Sequence, residues 1–321
     1  MRRLDEIVFS NDEMKAWELM KEAESVVITS HIHPDGDAIG SSLALAGYCR
    51  DHGKNVTVVI DDNIPWIYDY LEGVEEINKP SDVLAMSVDV LVVLDTNPTR
   101  IGRALDIDAK AVINIDHHGT NPRKCDHCII REESSSTAEL LYRLFICEGY
   151  GIKVKIANCL YTGLITDTVF FKTPNITVET YMIAGDLIRA GANGSGIAEA
   201  LERKEYKELM LTSKALSGVK LYFEGSVAGV SLDDSYDELE LTDSIIDTIR
   251  YIDGIKIAFL LKHELSGGYR VRMRSKEVDV SEIAAANGGG GHKDAGGFTI
   301  YEENLATAET LLLGEIEKWL G

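Results

Sequence analysis

The sequence predicts an α/β protein in two parts. The first is an N-terminal domain with a mainly parallel sheet flanked by helices, and the second a smaller C-terminal α+β domain. Short, continuous β-branched runs recur through the first half, as in strands buried on both faces of a parallel sheet. A helical stretch separates the first two of them, which makes a βαβ unit. From about Lys214 onward the period changes to paired strands around a tight turn. A chain of 321 residues suits two ordinary domains.

Element by element, the candidate strands of the first half are residues 25–31, 55–60, 89–95 and 111–116, with a helix over 38–52 after the first. From Ser136 the pattern is helical. Ser136-Thr137-Ala138-Glu139 reads as a capping box ahead of the apolar run 140–147. Further helices are expected over 156–165, 178–190 and 197–216. The last of these carries Glu202-Arg203-Lys204-Glu205 and no strong core stripe, as a connector would. Beyond it, residues 219–232 and 255–273 read as strands, with Ser266-Gly267-Gly268 as a hairpin turn. Helices over 244–251 and 302–320 complete the chain. The expected domains are therefore residues 1–195 and 214–321, joined by a helical linker over 196–213.

Composition narrows the function classes. There is no apolar run of about 18 residues, so no membrane span is expected. The N-terminal Met-Arg-Arg-Leu-Asp-Glu lacks the apolar core of an export signal. The five cysteines, Cys49, Cys125, Cys128, Cys147 and Cys159, are odd in number and irregularly spaced, which argues for reduced thiols in the cytoplasm. A formal charge of −21 opposes tracking along a long polyanion, which ordinarily requires a basic stripe. A small anionic substrate fits better.

The chemistry lies where acids and histidines fall. His31-Ile32-His33-Pro34-Asp35-Gly36-Asp37 follows the first strand, Asp95 ends the third, and Asp116-His117-His118 ends the fourth. Ligands of open parallel sheets bind beyond the carboxyl ends of the strands, so these segments converge on one edge. Asp167, after an apolar helix, is a further candidate. Any one of these acids alone would more often be a helix cap or turn residue. Together they would repel one another without cations, and no Lys or Arg lies within the motifs. Imidazole and carboxylate without cysteine suit a hard divalent ion such as Mn²⁺ or Mg²⁺. The number of ligands exceeds the needs of one ion, and two ions would clamp a phosphoryl group.

These motifs resemble those of the DHH phosphoesterase family over nearly the whole chain. His31, Pro34, Asp35 and Asp37 with Gly40-Ser41, then Asp95-Thr96, Asp116-His117-His118 and Asp167, follow the family's order and spacing. Gly289-Gly290-Gly291-His292 with Ala295 and Gly297 resembles the glycine-histidine signature of the DHH-associated domain. Here Asp294-Ala295-Gly296-Gly297 replaces the Ala-Ala-Gly common after that histidine. The nanoRNase/pAp-phosphatase branch is the most similar.

The resemblance implies that His31, Asp35 and Asp95 hold one ion, most readily Mn²⁺. It implies that Asp37, Asp95, His117 and Asp167 hold the other, with Asp95 bridging. His118 would face the substrate phosphate and Asp116 would orient the neighbouring histidines. His33 stands outside the pattern. The implied reaction is hydrolysis of short oligoribonucleotides and of 3′-phosphoadenosine 5′-phosphate in an interdomain cleft, and a homodimer is compatible with the family. Cyclic-dinucleotide hydrolysis and polyphosphate cleavage use the same chemistry. A catalytically idle nucleotide-binding protein is the rival of a different class.

In the second domain, the glycine run 288–291 is too flexible for an element interior and suits close approach of backbone N–H groups to a phosphate. His292 adds a donor. Strand alternation puts Arg272 and Arg274 on one face, with Ser275 next in sequence, and two guanidiniums there can grip a phosphate. An isolated Arg-x-Arg would more often be a solvated strand face; the glycine-histidine run nearby favours substrate binding. Three features are set aside. Cys125-Asp126-His127-Cys128 is half a zinc site without a second half. The glycines of 191–196 follow a helix and so mark a helix end. Trp66, Tyr68 and Tyr70 read as packing or rim residues.

Overall fold

The computed structural model describes residues 9–123, 125–236, 243–264 and 267–320. The N-terminal run read against export, and Ser266 of the expected hairpin turn, lie outside the described residues. The chain forms two units, Met1–Arg203 and Lys204–Gly321. Among the described residues no helix is long and apolar enough to cross a membrane.

Unit 1 is built on a parallel sheet of β1 (Ser25–Thr29), β2 (Asn55–Val59), β3 (Ser87–Leu94), β4 (Asp108–Asp116) and β5 (His127–Ile130), in the order β2-β1-β3-β4-β5. Four of the five were expected from their apolar runs; β5 was not. It is four residues long and opens on the polar segment Cys125-Asp126-His127-Cys128. Cys125 and Cys128 are joined as a disulfide there, with Cα atoms 6.1 Å apart, well within disulfide reach. This corrects the expectation that all thiols are reduced, and it removes the pair as candidate zinc ligands.

Helices cover one face of this sheet: α1 (Asn11–Glu22), α2 (Gly36–Asp51), α3 (Thr137–Cys147), α4 (Val154–Asp167), α5 (Val178–Arg189) and α6 (Gly194–Leu201). Trp17, Ile39, Leu45, Phe145, Leu160 and Leu164 are buried in the core beneath them. Short 3₁₀ turns supply the cover on the other face, over Val27, Leu91 and Val93. The closest helix pair is α2 with α4, running antiparallel. A Cβ on Gly40 would lie 2.4 Å from the Cys159 carbonyl oxygen, and one on Gly163 would lie 2.5 Å from Asp37 Oδ1. These two glycines let the backbones meet, and their meeting brings the N-terminus of α2 to the C-terminus of α4.

The single connector helix expected over 197–216 is broken in two. α6 ends at Leu201 in unit 1, and α7 (Tyr206–Ser217) begins in unit 2. At the break, the Arg203 guanidinium bonds Asp69 Oδ1 at 2.6 Å and the Ile67 carbonyl at 3.0 Å, and stacks over Trp66.

Unit 2 carries a mixed sheet of β6 (Lys220–Tyr222), β7 (Val227–Leu232), β8 (Ile257–His263), β9 (Tyr269–Ser275), β10 (Gly290–His292) and β11 (Ala295–Ile300), in the order β10-β11-β9-β8-β7-β6. α8 (Asp243–Ile249) lies between the parallel strands β7 and β8, and α9 (Val280–Ala286) and α10 (Leu305–Glu317) add further cover. The strand expected over 219–232 is interrupted because Phe223, Glu224 and Gly225 all take positive φ. The glycine run was expected to avoid element interiors, yet Gly290 and Gly291 form β10, paired with β11. Crowding explains it: a Cβ on Gly289 would lie 2.1 Å from the Gly297 carbonyl oxygen, and one on Gly291 2.2 Å from that of Ala295.

Candidate metal centre

In a sheet ordered β2-β1-β3-β4-β5 the crossover direction reverses between β1 and β3, and the crevice opens at their carboxyl ends. His31 follows β1 and Asp95 follows β3, so the fold delivers both to that point. Ser30 Oγ donates to the Leu94 carbonyl at 2.8 Å and ties the two strand ends together. Asp95 leaves the strand with φ 60° and is buried between two histidines. Its Oδ2 lies 3.5 Å from His31 Nε2, and its Oδ1 lies 3.5 Å from His117 Nε2.

His31 Nδ1 faces the Ile32 carbonyl at 3.0 Å, which fixes the tautomer and leaves Nε2 as the inward nitrogen. Asp35 caps α2, its Oδ1 accepting from Asp37 N and Ala38 N at 3.0 Å each, while Oδ2 lies 3.9 Å from His31 Nε2. Asp37, in the first turn of α2, is fully buried. Its carboxylate accepts from Thr137 N at 2.6 Å, Ala138 N at 2.9 Å and Ser41 Oγ at 2.9 Å. Asp167 ends α4 with Oδ2 3.2 Å from His117 Nε2. His117 Nδ1 faces the Ser134 carbonyl at 3.2 Å. Asp116 Oδ1 accepts from the backbone N–H groups of His117 and His118 and lies 2.7 Å from His118 Nδ1. His33, with φ 60°, turns to solvent and pairs with Asp62 at 2.9 Å, away from this set.

The charges are strongly perturbed. Burial, with Asp95 and Asp167 close by, pushes the Asp37 carboxyl well above the usual range, and burial lifts Asp167 to about 7. Burial also disfavours charge on Asp95, yet His117 and His31 hold that carboxyl below its ordinary range. Burial works against the charged imidazoles too, but the facing carboxylates win, raising His31 to about 9 and His117 to about 10. Protonated histidines thus stand where counter-ions are needed.

Among the described residues, three groups of possible ligands result: His31 with Asp35 and Asp95; Asp37 with His117 and Asp167; and Asp95 with His117 and His118. The ligand atoms of each group lie within 4.8 Å of one another, and Asp95 belongs to two groups. His117 Nε2 is buried without a hydrogen bond and is aimed at the carboxylates of Asp95 and Asp167. Hard divalent cations fit this donor set.

Several supporting residues escape a reading of motifs. Asn121 Nδ2 donates to Asp116 Oδ2 at 2.5 Å and to Asn114 Oδ1 at 2.9 Å, holding Asp116 from behind. Thr137 Oγ1 donates to Asp95 Oδ1 at 3.1 Å. The run Ser134-Ser135-Ser136-Thr137 was legible only as a helix start. The capping box expected there is half formed: Ser136 Oγ accepts from Glu139 N, but the Glu139 carboxylate turns to Ser135, Thr180 and Arg143.

In unit 2, β9 alternates as expected, with Val271 and Met273 buried and Arg272 and Arg274 on the other face. Register across β11 sets Arg272 opposite Gly297 and Arg274 opposite Ala295, and these face Gly290 and His292 of β10 in turn. Arg274 Nε also lies 3.4 Å from Asp247 Oδ1. Ser275 departs from the group. Its side chain is buried on the opposite face, donating to the Lys256 carbonyl and accepting from Glu277 N and Val278 N.

The model of the N-terminal domain of the DHH family matches residues 25–164, and that of the DHHA1 domain matches residues 224–319. A bifunctional oligoribonuclease and PAP phosphatase, NrnA of Thermus thermophilus, is 31% identical over 94% of this chain and 93% of its own. The chain belongs to the DHH family. Another relative of this DHH protein, the bifunctional oligoribonuclease and PAP phosphatase NrnA of Bacillus subtilis, is 26% identical over 90% of the chain and 95% of its own. Among solved structures, an exopolyphosphatase-related protein of Bacteroides fragilis matches with a TM-score of 0.88 and 27% identity, covering 98% of this DHH protein and 97% of its counterpart.

Proposed function

We propose that this DHH protein is a two-cation phosphoesterase of the cytoplasm. In this reading it hydrolyses short oligoribonucleotides to mononucleotides and 3′-phosphoadenosine 5′-phosphate to AMP. The observation that carries the reading is the sharing of Asp95 between ligand groups. The substrate choice is supported by relatives of similar length named for both activities, and by the acidic charge, which favours small anions.

His31, Asp35 and Asp95 would hold one cation and Asp37, Asp95, His117 and Asp167 the other, with Mn²⁺ the first choice and Mg²⁺ the second. When bound, such a pair supplies positive charge to clamp a phosphoryl group and to acidify the attacking water. The chain's own residues do the rest. Asp116 holds the His118 ring by Nδ1, so its half-exposed ring has Nε2 left to donate to a phosphoryl oxygen. Arg272, Arg274, the glycines 289–291 and His292 are assigned the nucleotide. Ser275 is not, its hydroxyl being used on backbone.

The test is Mn²⁺-dependent turnover of a 5′-labelled RNA dinucleotide beside 3′-phosphoadenosine 5′-phosphate, a cyclic dinucleotide and polyphosphate, with the wild type and Asp95→Ala. Turnover of the first two by the wild type alone is expected. Turnover of only one of the others reassigns the substrate, and retained activity in Asp95→Ala sinks the two-cation model. Metal binding without turnover of any substrate makes the chain a binding protein.

A further inference from the structure

Resting on the two-cation reading, we propose that Thr137 is the positioning residue that fixes the shared carboxylate of Asp95 and its spacing from Asp37. Thr137 is fully buried and touches both. Its hydroxyl lies 3.1 Å from Asp95 Oδ1, and its backbone N–H donates to Asp37 Oδ2 at 2.6 Å. Flanking it, Ala138 N donates to Asp37 Oδ1 at 2.9 Å and the Ser134 carbonyl faces His117 Nδ1 at 3.2 Å. One five-residue turn therefore contacts three residues of the candidate centre, drawn from three different segments.

Capping does not account for the hydroxyl. The N-cap of α3 is Ser136, whose Oγ accepts from Glu139 N at 3.0 Å, so Thr137 Oγ1 is not needed for the helix. Asp95 does need a partner. It has left regular strand geometry at φ 60°, so the sheet does not dictate where its carboxylate points. The hydroxyl selects the orientation in which Oδ1 faces the His117 side and Oδ2 the His31 side. The turn is itself anchored from below. The buried Glu139 carboxylate accepts from Ser135 Oγ at 2.6 Å and Thr180 Oγ1 at 3.1 Å, and is paired with Arg143. A fastened turn can impose a fixed distance on flexible carboxylates.

The experiment is Mn²⁺ titration of the full chain by electron paramagnetic resonance, comparing the wild type with Thr137→Val and Thr137→Ser, alongside melting of the metal-free proteins. Valine keeps the shape and the backbone N–H but loses the donor. We expect Thr137→Val to bind Mn²⁺ about 10–100-fold more weakly and to lose the spin-coupled two-ion signal, while Thr137→Ser stays within about threefold of wild type. Wild-type affinity and coupling in Thr137→Val, or a Thr137→Ser protein as weak as the valine variant, overturns the proposal. If Thr137→Val does not fold, Thr137→Ala removes the same donor and is judged by the same criteria. A wild type without a coupled signal would instead refute the two-cation reading itself.

Discussion

His31 and His117 show how single residues balance a cluster of buried carboxylates. Each is held by carboxylates well above the ordinary imidazole value of 6.5, at about 9 and about 10. A group whose folded value is raised contributes stability that is complete below its unfolded value and is lost as pH rises through the folded one. The metal-free protein should therefore lose melting temperature steadily between pH 6.5 and about 10, and the Mn²⁺-loaded protein should not. Thermal melts with and without chelator across that range check this, and parallel curves would contradict it. The candidate ligands were legible because histidine and aspartate at several strand ends have few joint structural uses. Thr137, Ser134 and Asn121 were not, since hydroxyl and amide side chains cap helices and turns throughout any chain.

Among the elements, the α2–α4 pair has little room for change. An alanine at Gly163 would put its Cβ 2.5 Å from Asp37 Oδ1 and 2.7 Å from the Ala138 Cβ. Gly163→Ala should cost about 1–3 kcal/mol in urea unfolding through overpacking. Displacing Asp37 should also lower kcat about 100-fold. Gly185→Ala on α5, where nothing lies within 4 Å of the added atom, should be neutral or stabilise by about 0.5–1 kcal/mol and leave kcat unchanged. Equal kcat in the two variants would mean that the helix contact does not position Asp37. Elements with a clear apolar or helical period were mostly legible in the sequence, the seven-residue α8 among them, while short ones without such a period were not. β5 is four residues that begin on a histidine, and β10 is Gly-Gly-His, a composition no strand pattern describes. α1 is marked in the sequence by Ser10 and Glu13, which form a complete capping box ahead of Trp17 and Met20.

For the molecule as a whole, charge and architecture act together. Two units, each with its own buried core, carry a formal charge of −21. Long RNA should feel that field along its whole length, whereas a dinucleotide presents little charge to it. Turnover per 3′ end should fall about tenfold or more from a dinucleotide to an RNA of some tens of nucleotides. Raising salt to the physiological range should narrow the gap by screening. A length-independent rate at low salt would contradict this.

The strand order of unit 1 also governs when the centre can exist during folding. His31, Asp95, His117 and Asp167 come together only after β1, β3 and β4 have paired in register and α4 has packed on α2. Contacts so distant along the chain must meet the full entropy of loop closure before they are rewarded, and they form late. A cation at this candidate centre would therefore not nucleate the unit in the way that zinc nucleates a small finger. It would arrive at a finished scaffold, so that its uptake would mark the completion of folding.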